Sequence, residues 1–241
     1  MTIKNLNKFM GKPIEGALEK VLGGLNEKSQ PNKITDQTQK NIVNKQGYIF
    51  VPSAAIYIAK ERTHLNLDWY KTHEVLHKEG LRMPTIPEFI SFINYLRTDY
   101  QSIDKKEANQ IFDDILKVGE WRGNWLDAKF ENKKGKFFIN YNHHIIKGKL
   151  VPKNSEPLAD CLMEDCWADI FNSNSQGLPT KKLGSSYQQG TNAYYWYPRN
   201  EAVAGFGADS GGAGLSCVRD PSSSGHALGV FACAEGTQKN N

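Results

Sequence analysis

Residues 203–225 read VAGFGADSGGAGLSCVRDPSSSG. Taken as an extended strand, the middle of this stretch sorts by parity. Ala213, Leu215 and Cys217 fall on one side, and Gly212, Gly214, Ser216, Val218 and Asp220 on the other. The first set makes a core face. The second is a row of small or polar residues that packing alone would not select, and glycine is a poor strand former. The row is therefore expected to face outward and to accept large side chains, Tyr at Gly212, Gly214, Ser216 or Asp220 included.

Two more familiar uses of glycine are excluded. Ser210 stands where the last glycine of a G-x-G-x-x-G dinucleotide loop belongs, and no βαβ pattern surrounds it. No Lys occurs between 203 and 233, so there is no phosphate-binding P-loop. That window also lacks Glu, Gln, Met and Trp. With Lys, these five types number 24, 14, 10, 4 and 5 in the chain. Chance absence over such a window has odds on the order of a few in ten thousand on composition. They are also the residues that codons ending in a pyrimidine cannot encode.

The chain has 241 residues, 39% of them hydrophobic, enough for one large domain or two small ones. Its net charge of +4 is mild, and nine Lys against four acids in residues 1–60 carry most of the excess. Without a basic stripe interleaved with aromatics, nucleic acid is not the expected partner. The opening MTIKNLNKFMGKPIEGALEKVLGG has no signal-peptide core, and no run approaches the roughly 20 apolar residues of a spanning helix. The expectation is a soluble chain without an export signal or membrane insertion.

Residues 4–25 carry a loose helical pattern broken at Gly11-Lys12-Pro13, and 26–46 form a polar linker. Residues 1–46 thus read as an arm, 47–235 as the domain and 236–241 as a tail. YIFV (48–51) and AAIYIA (54–59) predict strands. Helices are expected over 66–79, from the capping box Thr85/Glu88 onward, and over 104–117. Beyond Gly119 come aromatic strands, a hairpin at Lys133-Lys134-Gly135 and a closing LGVFACA strand. Two or three helices followed by short antiparallel strands give an α+β class.

His73-Glu74-Val75-Leu76-His77 spells HExxH, which on a helix would present two imidazoles for zinc and a general base. Its charged flanks, Lys71, Lys78 and Glu79, favour a solvated face, and His143-His144 in a strand-like stretch offers no evident third ligand. A zinc-dependent hydrolase using 73–77 is the alternative function. Cys161 and Cys166 have no basic neighbour to lower a thiol pKa and read as structural.

The 203–233 segment resembles the variable region of proteins diversified by retroelements, whose variable proteins have a C-type lectin fold. MPTIPEF resembles that family's helix start. WRGNWLDAKF and HALGVFACA resemble its strand signatures, and the likeness covers about residues 47–235. It implies a C-type lectin fold and a non-enzymatic binding protein whose variable patch, about 201–226, contacts a protein or cell-surface ligand. The variable positions would be Gly207, Asp209, Gly211, Gly212, Gly214, Ser216, Val218, Asp220, Ser223, Gly225 and His226. The aromatic run 194–197 would buttress them. The arm would serve attachment to another subunit or to a virion, with a virion-surface location if viral and a cytoplasmic one otherwise. Formylglycine-generating enzymes share the fold, but Gly212 stands where the first of their two cysteines would fall, five before Cys217. The Gln-Pro-Asn of 30–32 lies in the linker rather than at a lectin calcium site, so no cofactor or calcium is implied.

Overall fold

The computed structural model describes residues 47–98 and 103–236, together with Lys8–Phe9 and Lys12–Pro13. The chain divides into two compact units, Met1–Asp36 and Gln37–Asn241. In the first, Lys8–Phe9 (β1) and Lys12–Pro13 (β2) pair antiparallel. At Lys8–Phe9 the backbone is extended where a helical pattern was expected, and Lys12–Pro13 falls at the expected break in that pattern. The remainder of the arm, its polar linker and the 237–241 end lie outside the described residues.

The second unit is α+β. Tyr48–Val51 (β3) and Ile56–Ala59 (β4) form an antiparallel hairpin, which Cys233–Glu235 (β13) extends along β4. Three helices follow: Trp69–Lys78 (α1), Ile86–Thr98 (α2) and Lys105–Leu116 (α3). α1 starts three residues later than its apolar pattern, because Asp68 caps it by accepting from the Lys71 amide at 2.7 Å. Glu88 accepts from the Thr85 amide at 2.8 Å, one half of the expected capping box. Asp104 caps α3 in the same manner.

Arg122–Lys133 (β5) and Lys136–Ile146 (β6) form the expected hairpin, with Lys134 and Gly135 both at positive φ as its two-residue turn requires. Lys149–Pro157 (β7) continues the meander. Cys166–Ala168 (β8), Ala193–Trp196 (β9), Val203–Asp209 (β10) and Gly212–Arg219 (β11) complete a sheet ordered β7-β6-β5-β10-β11-β9-β8. Leu228–Gly229 (β12) pairs with β5. LGVFACA is therefore two strands rather than one. It leaves the large sheet after Gly229, bridges Thr63 through Val230 and joins β4 at Cys233.

Two apolar clusters fix the central strands. On one face Phe206 of β10 meets Phe89 of α2, centroids 5.5 Å apart, and Phe231 completes the stack. Ala213, Leu215 and Cys217 are buried in this cluster, as their parity predicts. On the other face Trp69, Leu76, Met83, Trp125 and Val203 cluster, with the Trp69 and Trp125 indoles donating to the Leu126 and Leu67 carbonyls at 3.0 Å. β5 is consequently buried on both faces through most of its first half. Among the described residues no helix is long and apolar enough to cross a membrane.

Leu215→Ala should cost about 2–5 kcal/mol through the cavity it leaves, read as a lowered denaturant midpoint with an unchanged slope.

Candidate functional site

The outer row of the β10–β11 hairpin has glycine where three side chains lie down on the sheet. Register places Gly207 opposite Gly214 and Asp209 opposite Gly212, so these four share a face. Tyr194 and Trp196 of β9 fall beside Gly214 and Ser216, and Trp167 of β8 beside Tyr194, on that same face. A Cβ on Gly214 would collide with the Trp196 ring and stand 2.8 Å from the Tyr194 carbonyl. A Cβ on Gly212 would lie 2.5 Å from the Tyr187 ring, and Gly212 itself sits at φ +130°. Glycine is here because aromatic rings occupy the side-chain space.

The third recumbent side chain is Arg219. From Gly205↔Ser216 to Val203↔Arg219, β10 advances two residues and β11 three, so β11 carries a bulge. Simple parity puts Arg219 on the core face with Cys217. The extra residue brings it to the outer face, where its aliphatic stem covers Gly205 and its guanidinium reaches Gly207.

These residues enclose a cleft of about 250 Å³ lined by Trp121, Trp167, Tyr194 and Trp196 as walls, the glycines as floor, and Asp209 and Arg219 as its charged groups. Trp121 and Trp196 are 40% and 37% exposed, unusually open for indoles beside a packed sheet. Of the eleven positions read from sequence, Gly207, Asp209, Gly211, Gly212 and Gly214 line this cleft. Ser216 does not, and only 6% of it is exposed. Gly214 is covered as well, so the expectation that Gly212, Gly214 and Ser216 accept Tyr freely is corrected: rings fill the space over Gly212 and Gly214, and Ser216 is buried. Val218 is half-buried, while Asp220, Ser223 and His226 are exposed in or beside the 220–227 loop. Gly225 touches that cleft's edge, its Cβ direction meeting Trp121 at 3.7 Å. The aromatic run alternates, with Tyr195 in the core and Tyr194 and Trp196 lining the cleft. Sequence reading missed Trp121, Trp167 and Arg219, whose places depend on pairing with distant strands.

The HExxH string does not converge on one site. Glu74 and His77 are exposed, and Glu74 pairs with Lys71 at 2.9 Å. His73 turns inward, against the solvated face expected of it. There it meets two residues from the β5–β6 hairpin, Asp127 and His143, and the donor atoms of all three lie within 4.8 Å. Among the described residues this is a grouping that could hold a metal ion. Its carboxylate is already satisfied, however: Asp127 accepts from the His143 amide at 2.9 Å and from His143 Nδ1 at 2.5 Å. Burial alone would raise the Asp127 pKa, but His73 and His143 hold it below the usual carboxylate range. Burial pushes His73 down to about 4, so it is neutral, and its Nε2 has no hydrogen-bond partner.

All four cysteines are free thiols, and burial raises the pKa of each. That leaves them poor nucleophiles. Cys217 points into the core, away from the cleft.

Compared with models of known families, with curated proteins and with solved structures, the chain matches none.

Gly212→Ala should cost about 1–3 kcal/mol through its backbone conformation, whereas exposed Asp220→Tyr should stay within about 0.5 kcal/mol; thermal melts of the two variants compare them. Because folding depresses the His73 pKa, the unfolded chain binds the extra proton. Stability is then fully present above pH ~6.5 and declines toward pH ~4, by up to about 3 kcal/mol. His73→Leu should flatten that window in urea titrations run across pH.

Proposed function

We propose that the chain is a non-enzymatic binding protein with the C-type lectin fold of retroelement-diversified variable proteins, and that the aromatic cleft on the β10–β11 hairpin is its ligand-contacting patch. One observation carries this reading. Five of the positions that the resemblance implies are variable line a single cleft, and four aromatic side chains from elsewhere in the fold wall it. The return of the last strand onto β4 and the placement of the helices ahead of the large sheet support the finer fold reading.

Binding energy concentrates in buried Trp, Tyr and Arg anchors rather than in glycine or serine. Here the scaffold supplies the anchors, and the glycine row sets how flat they lie. A side chain gained at position 214 must lift Trp196, and one gained at 212 must move Tyr187. Diversity in the row would then act through the posture of a fixed aromatic set, as well as through new contacts. The ligand on this reading is a protein or cell-surface group, and the arm provides attachment to another subunit or a virion.

Coding regions from independent isolates test the diversification. Changes should concentrate in the codons of 201–226, spare Phe206, Leu215 and Cys217, and be accompanied by a nearby imperfect repeat and a reverse-transcriptase gene. Substitutions spread evenly over 47–235 would sink it. Trp196→Ala should weaken attachment to a target surface at least tenfold without lowering the melting temperature appreciably, since the ring is partly exposed.

A further inference from the structure

Six arginines occur in the chain, and five of them meet oxygen acceptors. Arg62 bonds Asn124 and Asp114, Arg82 bonds Glu88 and Glu235, and Arg97 bonds the Gly190 carbonyl. Arg122 bonds the Asp113 carbonyl, and Arg199 reaches Asp165. Arg219 differs. Its Nε is buried and has no acceptor, and among the described residues no carboxylate pairs with it. Burial pulls its pKa below the usual arginine range, with no opposing charge to restore it. Its neighbours are apolar: glycine backbone beneath and the Trp121 ring at 5.7 Å.

A guanidinium whose Nε is buried without an acceptor is costly to keep in a fold. Its planar fork matches a carboxylate or sulfate. The fork lies in the cleft between indole walls that favour the flat apolar face of a ring. Asp209, whose Oδ1 accepts from the Gly211 amide at 2.7 Å, closes the other end of the hairpin ladder, out of ion-pairing range, and can accept from hydroxyl groups. Oxyanion site, stacking wall and hydroxyl acceptor thus line the same cleft.

We infer that the cleft binds an acidic sugar ring, with its carboxylate or sulfate on Arg219, its apolar face on the indoles and its hydroxyls toward Asp209. This rests on the patch reading above and names the chemistry of its ligand. An acidic protein segment would satisfy Arg219 but would gain nothing from Asp209, which repels it.

The full chain can be titrated with oligogalacturonate, with a sulfated galactose oligomer and with their neutral galactose counterpart, following tryptophan fluorescence. The acidic forms should bind at least tenfold more tightly than the neutral one, and the preference should shrink in high salt. The two acidic probes distinguish carboxylate from sulfate as the source. Arg219→Met should abolish the preference without lowering the melting temperature. Arg219→Lys should keep part of it. Equal binding of acidic and neutral sugars, no binding of any probe, or a preference surviving Arg219→Met overturns the inference. So does competition by an acidic peptide alone. In each case Trp196-dependent attachment to a target surface would leave the patch reading standing, whereas attachment indifferent to Trp196→Ala would remove both.

Discussion

The contact of Phe206 with Phe89 holds the central strand of the large sheet against α2, and the outer face of that strand depends on it. A strand whose inward side chains are locked in a close-packed core has a fixed backbone. Its outward side can then be stripped to glycine without losing position. Phe231 adds to the same stack and arrives on the segment that runs from β12 to β13, so closure of the chain and rigidity of the cleft floor share one set of rings.

Glycine in this hairpin is a space reserved for neighbours. Tyr187, Trp196 and Arg219 each lie over a position where a Cβ would stand. Tyr187 is anchored from beneath, since its hydroxyl donates to the Leu116 carbonyl at the end of α3. Trp196 packs edge-on against Tyr194, centroids 4.7 Å apart, and Tyr194 meets Trp167 in the same manner at 5.1 Å. The walls therefore form a chain of tilted rings rather than independent side chains, and a disturbance at one is felt by the next.

Much of this was legible from local chemistry. The Asp104 cap, the Thr85/Glu88 pairing and the Lys134-Gly135 turn are set by residues a few positions apart, and periodicity assigned Ala213, Leu215 and Cys217 to the core. What failed was non-local. The outward face was found, but not its occupants, because Trp121 and Trp167 reach it from strands or turns distant in sequence. His73 read as solvated from its charged flanks, yet the residues that bury it come from β5 and β6, more than fifty positions on. LGVFACA read as one strand because nothing in its apolar run marks the crossing between sheets.

The bulge in β11 makes the polarity of the cleft a matter of residue count. Strand parity is binary, and one additional residue between Ser216 and Arg219 selects the sign. Removing it would turn the guanidinium toward Leu215 and Phe206 and leave an aromatic trough whose charged group is Asp209. Exchanging residues along this row can reshape the cleft, but only a change of length can flip the face on which its charge appears. Substitution changes which side chain stands at a position, whereas a change of length changes which face each later residue of the strand presents.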